Sequence, residues 1–233
     1  MDIGCGRGIS TLWFHLQGLD TLCVEGSHDA VQQSLLPDVA SQVVQHDYSR
    51  GPWWPEKTYD ATWAVEFLEH VGVNYHFNYI TTMRKSAMIF ATSSRRGGWH
   101  HVEVHPDDWW IRKFESYGFI YDDKLTQQIR VLMRTDQSLR HLGGPKWNGA
   151  YVRLSLKVFI NPVVAALPQH AHLFHQHGCF QSWKAGIVTN RPCQEQNGES
   201  ALPQSFWPLE IDPKAEEEWG KVLLNSTNLT DLE

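Results

Sequence analysis

The chain has 233 residues, 42% hydrophobic and 20% charged, enough for one sizeable core with an appendage, and no apolar run approaches the roughly 18 to 20 residues of a membrane span. A formal net charge of −6 and a pI near 6.1 lack the clustered Lys and Arg of a nucleic-acid footprint, which points away from nucleic acid as a partner. Cys5, Cys23, Cys179 and Cys193 show no CxxC spacing and are too sparse for a disulfide scaffold, and Met1 is followed by an acid and glycines instead of a signal peptide, so a reduced, cytoplasmic setting is the default.

Asp2 and Ile3 read as the end of a strand, the glycines that follow as a turn, and residues 10–18 as a helix that Ser10 or Thr11 caps and Gly18 ends. Only Met1, Asp2 and Ile3 precede the glycines, short of the roughly five residues of a buried strand, so the reading expects a segment upstream. Residues 21–25 form a second apolar run closing on Glu25, and residues 28–36 have helical spacing stopped by Pro37. A third run, 42–47, closes on Asp47, and a fourth, 59–65, is followed by Glu66. Residues 75–85 then predict a helix, 87–91 a buried strand, 106–117 a helix opened by Pro106, and Gly118 and Phe119 the turn into a sixth strand. Between 130 and 148 the pattern dissolves, and the alternation of YVRLSLKVFI at 151–160 predicts one more strand.

Strands alternating with helices imply an α/β fold: a doubly wound, mostly parallel sheet of seven strands with helices on both faces. Residues 1–161 are assigned to that domain and 162–233 to a partly disordered carboxyl-terminal extension. The extension holds a Gln, Asn and Pro-rich linker near 194–208 and an acidic helix-like piece at 213–224.

In such a sheet, ligands sit beyond the carboxyl ends of the strands, where the first strand, turn and helix meet. Glycines there let the backbone approach a ligand, and the following helix presents free N–H groups. A dinucleotide turn reads GxGxxG, which from Gly4 requires glycine at the place of Ile9; here the third glycine is Gly8, giving GxGxG.

DIGCGRG at 2–8, Glu25 closing the second strand, Asp47 closing the third, and YDATWAVEFLEHV at 59–71 resemble the successive motifs of class I S-adenosylmethionine-dependent methyltransferases. HPDDWWIRKFESYGF at 105–119 resembles that family's usual last helix and GF turn. The resemblance covers residues 2–121, extends toward 160, and does not reach the tail. It implies S-adenosyl-L-methionine as cofactor. Asp2, Gly4, Cys5, Gly6 and Gly8 would lie along the methionine and ribose portion. Glu25, with Gly26 beside it, would accept from both ribose hydroxyls. Asp47 would take the adenine amino group, with the Tyr48 amide facing a ring nitrogen, and Glu66 and Phe67 would border the methionine end.

Methyl transfer from a sulfonium needs positioning and exclusion of water, and a base only where the nucleophile arrives protonated. Residues 93–110, SSRRGGWHHVEVHPDDWW, stand where such folds build the acceptor side. His100 and His101 are the candidate general bases there, with His70 a further one. Trp109, Trp110, Ile111 and Phe114 at helical spacing read as core, while Trp53 or Trp54 is a candidate wall of the pocket.

The His-rich stretch 169–179 lacks the paired spacing of a zinc site and reads as a polar surface segment, so no metal site is assigned. The acceptor patterns at Asn225 and Asn228 lack a secretory context. The expected function is methyl transfer to oxygen or nitrogen of a small molecule, a sugar or other metabolite, with no membrane partner. A protein or RNA methyltransferase, or a non-catalytic cofactor-binding relative, is the alternative.

Overall fold

The computed structural model describes residues 1–135, 150–173, 181–184 and 187–190. Seven strands make one sheet: β1 (Asp2–Ile3), β2 (Cys23–Glu25), β3 (Val43–Gln45), β4 (Tyr59–Ala64), β5 (Ser86–Ala91), β6 (Ile120–Tyr121) and β7 (Lys157–Ile160), in the order β3-β2-β1-β4-β5-β7-β6. The pairs among β1 to β5 are parallel, and β7 runs antiparallel to both β5 and β6. The chain starts in the middle of the sheet, winds outward through β2 to β3, then crosses back to β4. That reversal beside β1 opens a crevice at the carboxyl ends of the strands.

Helix α1 (Ile9–Leu16) begins directly after Gly8, whose φ of 83° places it in the left-handed region, and the chain leaves it at Gly18 with φ 81°. Thr11 does not cap the helix as expected: its hydroxyl donates to Asp2 Oδ2 at 2.7 Å, tying α1 to β1. Helix α2 (His28–Gln32) is capped by Ser27 and ends four residues before the expected Leu36. The chain is diverted because the Leu35 amide donates to the Arg7 carbonyl at 2.9 Å and Leu36 packs beneath Gly8. A short α3 (Val39–Gln42), capped by Asp38, takes Gln42 out of the third strand.

Helices α4 (His76–Met83) and α5 (Asp107–Ser116) stand where the periodicity places them. Trp110 and Phe114 are fully buried with Ile3, Ile80, Met83 and Ile89, and Phe114 stacks on Phe159 at 4.4 Å. The tryptophan pair's core reading thus holds for Trp110.

Two longer stretches also differ from the sequence reading. Helix α6 (Asp123–Thr135) occupies ground where no element was expected, and its first turn is held by Asp122 Oδ1 accepting from the Leu125 amide at 2.9 Å. The alternating run at 151–160 is split into α7 (Ala150–Ser155) and β7. Val152 and Leu156, four apart, turn together toward Leu125 and Ile129 of α6, so helical packing takes the first half and the sheet only the second. Lys157 enters that sheet with its side chain fully buried. Its ammonium donates to Ser93 Oγ at 3.0 Å, Asp107 Oδ1 at 3.0 Å and the Ser155 carbonyl at 2.6 Å. Asp107, at the start of α5, also pairs with Arg130 at 3.1 Å and with Arg95.

The packing continues past Asn161. Helix α8 (Pro162–Ala165) buries Val164 and Ala165 against Ala87 and Ile160. His170, read as a surface residue, is instead buried: Nδ1 lies 2.7 Å from Asp60 Oδ1 and Nε2 2.7 Å from Thr58 Oγ1. Strands β8 (Gln181–Lys184) and β9 (Ile187–Asn190) pair antiparallel. The linker at 194–208, the helix-like piece at 213–224, His175, His177, Cys179, Cys193, Asn225 and Asn228 lie outside the described residues.

Candidate functional site

At the switch point between β1 and β4 lies a cleft of about 530 Å³, a size suited to a nucleoside-containing ligand. Seven of the residues proposed from sequence for the cofactor line it: Gly4, Glu25, Gly26, Asp47, Tyr48, Glu66 and Phe67. Gly4 must be glycine. Its φ is 68°, and a Cβ there would meet Phe67 Cδ2 at 2.4 Å, so any side chain would collide with the aromatic ring that closes the cleft.

Glu25 leaves the end of β2 half buried, with Oε2 accepting from the Gly6 amide at 2.7 Å and Oε1 from the Ser27 amide at 2.8 Å. A carboxylate has about four lone-pair sites, so each oxygen retains one for a ligand. Asp47 caps a 3-10 turn over Tyr48–Arg50, its Oδ1 accepting from the Ser49 amide at 2.8 Å. Tyr48 is buried against Phe67 and Tyr79, and its hydroxyl donates to Thr82 Oγ1 at 2.9 Å. Burial raises that phenol above its ordinary value, so it acts as a neutral wall.

Glu66 sits just past β4 at φ 54°, a left-handed conformation rare outside glycine, and its amide donates to Thr92 Oγ1 at 2.9 Å. Backbone strain of this kind collects at sites that hold ligands. Burial, then the neighbouring Glu69, raises its carboxyl above the usual carboxylate range.

Other proposed residues stand behind the cleft and do not line it. Gly6 and Gly8 shape the turn, and Cys5 is turned toward β2, where it is disulfide-bonded to Cys23 across a Cα separation of 5.7 Å. The reduced pairing expected for those two cysteines is therefore corrected: they are close in space although 18 residues apart.

Asp2 is buried against Thr11, and burial pushes its carboxyl from an ordinary 3.8 up to about 6, against the Thr11 hydrogen bond that favours the ionised form. Its role is to fix the turn to α1. The folded state holds an extra proton between about pH 4 and pH 6, so this group's stabilising contribution is full below about pH 4 and is lost as pH rises through 6. Asp2→Asn keeps an acceptor for Thr11 and is expected to flatten the pH dependence of the urea midpoint across that window. An unchanged slope would remove Asp2 as its source.

The segment after β5 folds back over the 3-10 turn Leu68–His70. Val102 and Glu103 amides donate to the Glu69 carbonyl at 2.8 and 3.1 Å, and Glu103 Oε1 accepts from the Val73 amide at 2.6 Å. His105 meets Glu103 at 2.7 Å and stacks on Trp109 at 3.7 Å. His100 and His101, the candidate bases, part company. His100 is exposed, its ring against Trp99 at 3.9 Å, whereas His101 is half-buried beside His70, with ring centroids 5.0 Å apart; neither His100 nor His101 lines the cleft. His70 lines the cleft, as do Val71, Tyr75 and Val102, which the sequence reading missed. Neither Trp53 nor Trp54 lines it; Trp53 packs against the core near His46.

Residues 1–86, which carry the glycine turn and all three strand-end acids, match the family model described as a methyltransferase domain. Over these residues, little more than a third of the whole, the chain is similar to methyltransferase domains.

Among curated proteins, no sequence matches the chain. Among solved structures, it is similar to the PH0226 protein from Pyrococcus horikoshii OT3 at 17% identity, TM-score 0.30, over 39% of this chain and 47% of that one. It is similar to the magnesium protoporphyrin IX methyltransferase from Synechocystis PCC 6803 with bound SAM at 15% identity, TM-score 0.41, over 52% and 59%. For the plantazolicin methyltransferase BpumL the figures are 12%, 0.48, 68% and 74%. The chain thus spans about half the length of the first of these. Among the described residues no helix is long and apolar enough to cross a membrane.

Proposed function

We propose that the chain transfers a methyl group from S-adenosyl-L-methionine to an oxygen or nitrogen of a small molecule such as a sugar or other metabolite, through a domain spanning residues 1–161. The observation that carries this reading is the arrangement of Glu25, Asp47 and Glu66 after successive strands around one cleft, with Gly4 closely approached by Phe67.

Glu25 accepts from the ribose hydroxyls through its remaining lone pairs, and Asp47 with the Tyr48 amide reads the adenine edge. Gly4, Glu66 and Phe67 border the methionine end, leaving the methyl directed toward His70, Val71 and Val102. A lone pair on the acceptor attacks the methyl carbon in line, the carbon–sulfur bond breaks with its electron pair going to sulfur, and S-adenosylhomocysteine remains. An acceptor hydroxyl must also shed its proton, and a histidine would take it: His70, which lines the cleft, supports this reading, with His101 beside it. The acidic balance of the chain, −6 overall, favours a small acceptor over nucleic acid.

Calorimetric titration with S-adenosylhomocysteine, beside NAD as control, tests the cofactor half. Micromolar binding of the former alone is expected, and a folded protein that binds neither would sink the reading. Turnover is then sought across hydroxyl and amine acceptors with labelled cofactor.

A further inference from the structure

Glu69, His70 and His101 converge beside the cleft, with one ligand atom from each lying within 4.8 Å of the others. Glu69 is fully buried, and neither of its carboxylate oxygens has a hydrogen-bond partner. A buried carboxylate without a partner is expensive to maintain, and proteins retain one chiefly where a cation or ligand satisfies it.

The two histidines are prepared in a complementary way. His70 Nδ1 lies 3.0 Å from the His100 carbonyl oxygen, and His101 Nδ1 lies 2.8 Å from the Arg96 carbonyl oxygen. A carbonyl only accepts, so each ring donates from Nδ1 and its neutral form carries the lone pair at Nε2. Metal-binding histidines are oriented in this manner, the second nitrogen donating to a backbone carbonyl that fixes the tautomer.

The geometry points to a divalent cation site formed by Glu69, His70 and His101 at the acceptor side of the cleft. One carboxylate and two imidazoles suit a first-row transition ion such as Zn²⁺ or Mn²⁺ and suit Mg²⁺ or Ca²⁺ poorly, because the latter prefer oxygen. Three protein ligands leave a coordination position open. Because His70 lines the cleft, an ion held by these side chains would border the space where the acceptor enters. An oxygen bound there would become more acidic; with the ion in place His70 and His101 serve as ligands and no longer as bases, and the acceptor's proton would pass to solvent water. Metal binding stands on the three side chains alone; this role for the ion rests on the methyl-transfer reading.

The test uses Co²⁺ as probe on the whole chain, stripped of metal with chelator, with folding checked by circular dichroism and S-adenosylhomocysteine binding measured in parallel. Stoichiometric Co²⁺ binding with visible ligand-field absorption is expected. His101→Ala and Glu69→Gln should each weaken it by more than the roughly 10- to 100-fold that loss of an outer-shell partner causes. His101→Ala, at a half-exposed position, should leave S-adenosylhomocysteine affinity within about twofold. Wild-type protein that binds S-adenosylhomocysteine but not Co²⁺, or a folded His101→Ala that binds Co²⁺ undiminished, would overturn the metal site while leaving the cofactor reading intact. Co²⁺ binding without S-adenosylhomocysteine binding would support the metal site and defeat the transfer role.

Discussion

Asp107→Ala is expected to lower the free energy of unfolding by about 3–5 kcal/mol, the cost of leaving a buried charge without its partner. The charge left behind is Lys157, fully buried in β7, whose ammonium reaches Asp107 Oδ1 at 3.0 Å. Burial brings that amine down to about 8 even with Asp107 in place. The carboxyl itself would be raised by burial, and Arg95, Lys157 and Arg130 together reverse this and hold it below its ordinary value. Asp107 thereby joins α5, α6, β7 and the start of the segment that carries His101. Denaturant unfolding of Asp107→Ala should show the full loss, and adding Lys157→Met should recover most of it by removing the stranded charge. A loss below about 1 kcal/mol would place the cluster among ordinary surface ion pairs.

Glu25→Ala is expected to weaken S-adenosylhomocysteine binding by about 1.5–3 kcal/mol, roughly 10- to 150-fold, from loss of charge-assisted bonds to the ribose. The structure adds a second route to the same loss, since Glu25 also holds the Gly6 and Ser27 amides in place. On the proposed reading, the turn that would cradle the cofactor is fixed by the residue that would bind it. Calorimetry checks the affinity, and a variant within threefold of wild type would remove Glu25 from the ribose site.

Much of this was legible in the chain because it depends on local chemistry. Glycines at 4, 6 and 8 all take positive φ, acids close successive strands, and Trp110 and Phe114 fall on one helical face. Such features are set by spacing within a few residues, and so the central strands and the cleft at their carboxyl ends could be placed from spacing and resemblance together. The run at 151–160 was ambiguous because Val152, Leu154, Leu156 and Val158 satisfy a strand's alternation, while Val152 and Leu156 also satisfy a helix. Contact with Leu125 and Ile129, some 25 residues earlier, decides between them.

The sequence alone determined the first five strands in their order, the helices after the first, fourth and fifth of them, and the glycine turn at the cleft. Only the tertiary structure decided that Cys5 meets Cys23, that Lys157 is buried on Asp107, that Asp2 serves Thr11, and that His101 and not His100 joins Glu69 and His70. Each of these is a pairing across the chain, and its partner is fixed by which polar groups remain unsatisfied once the core closes.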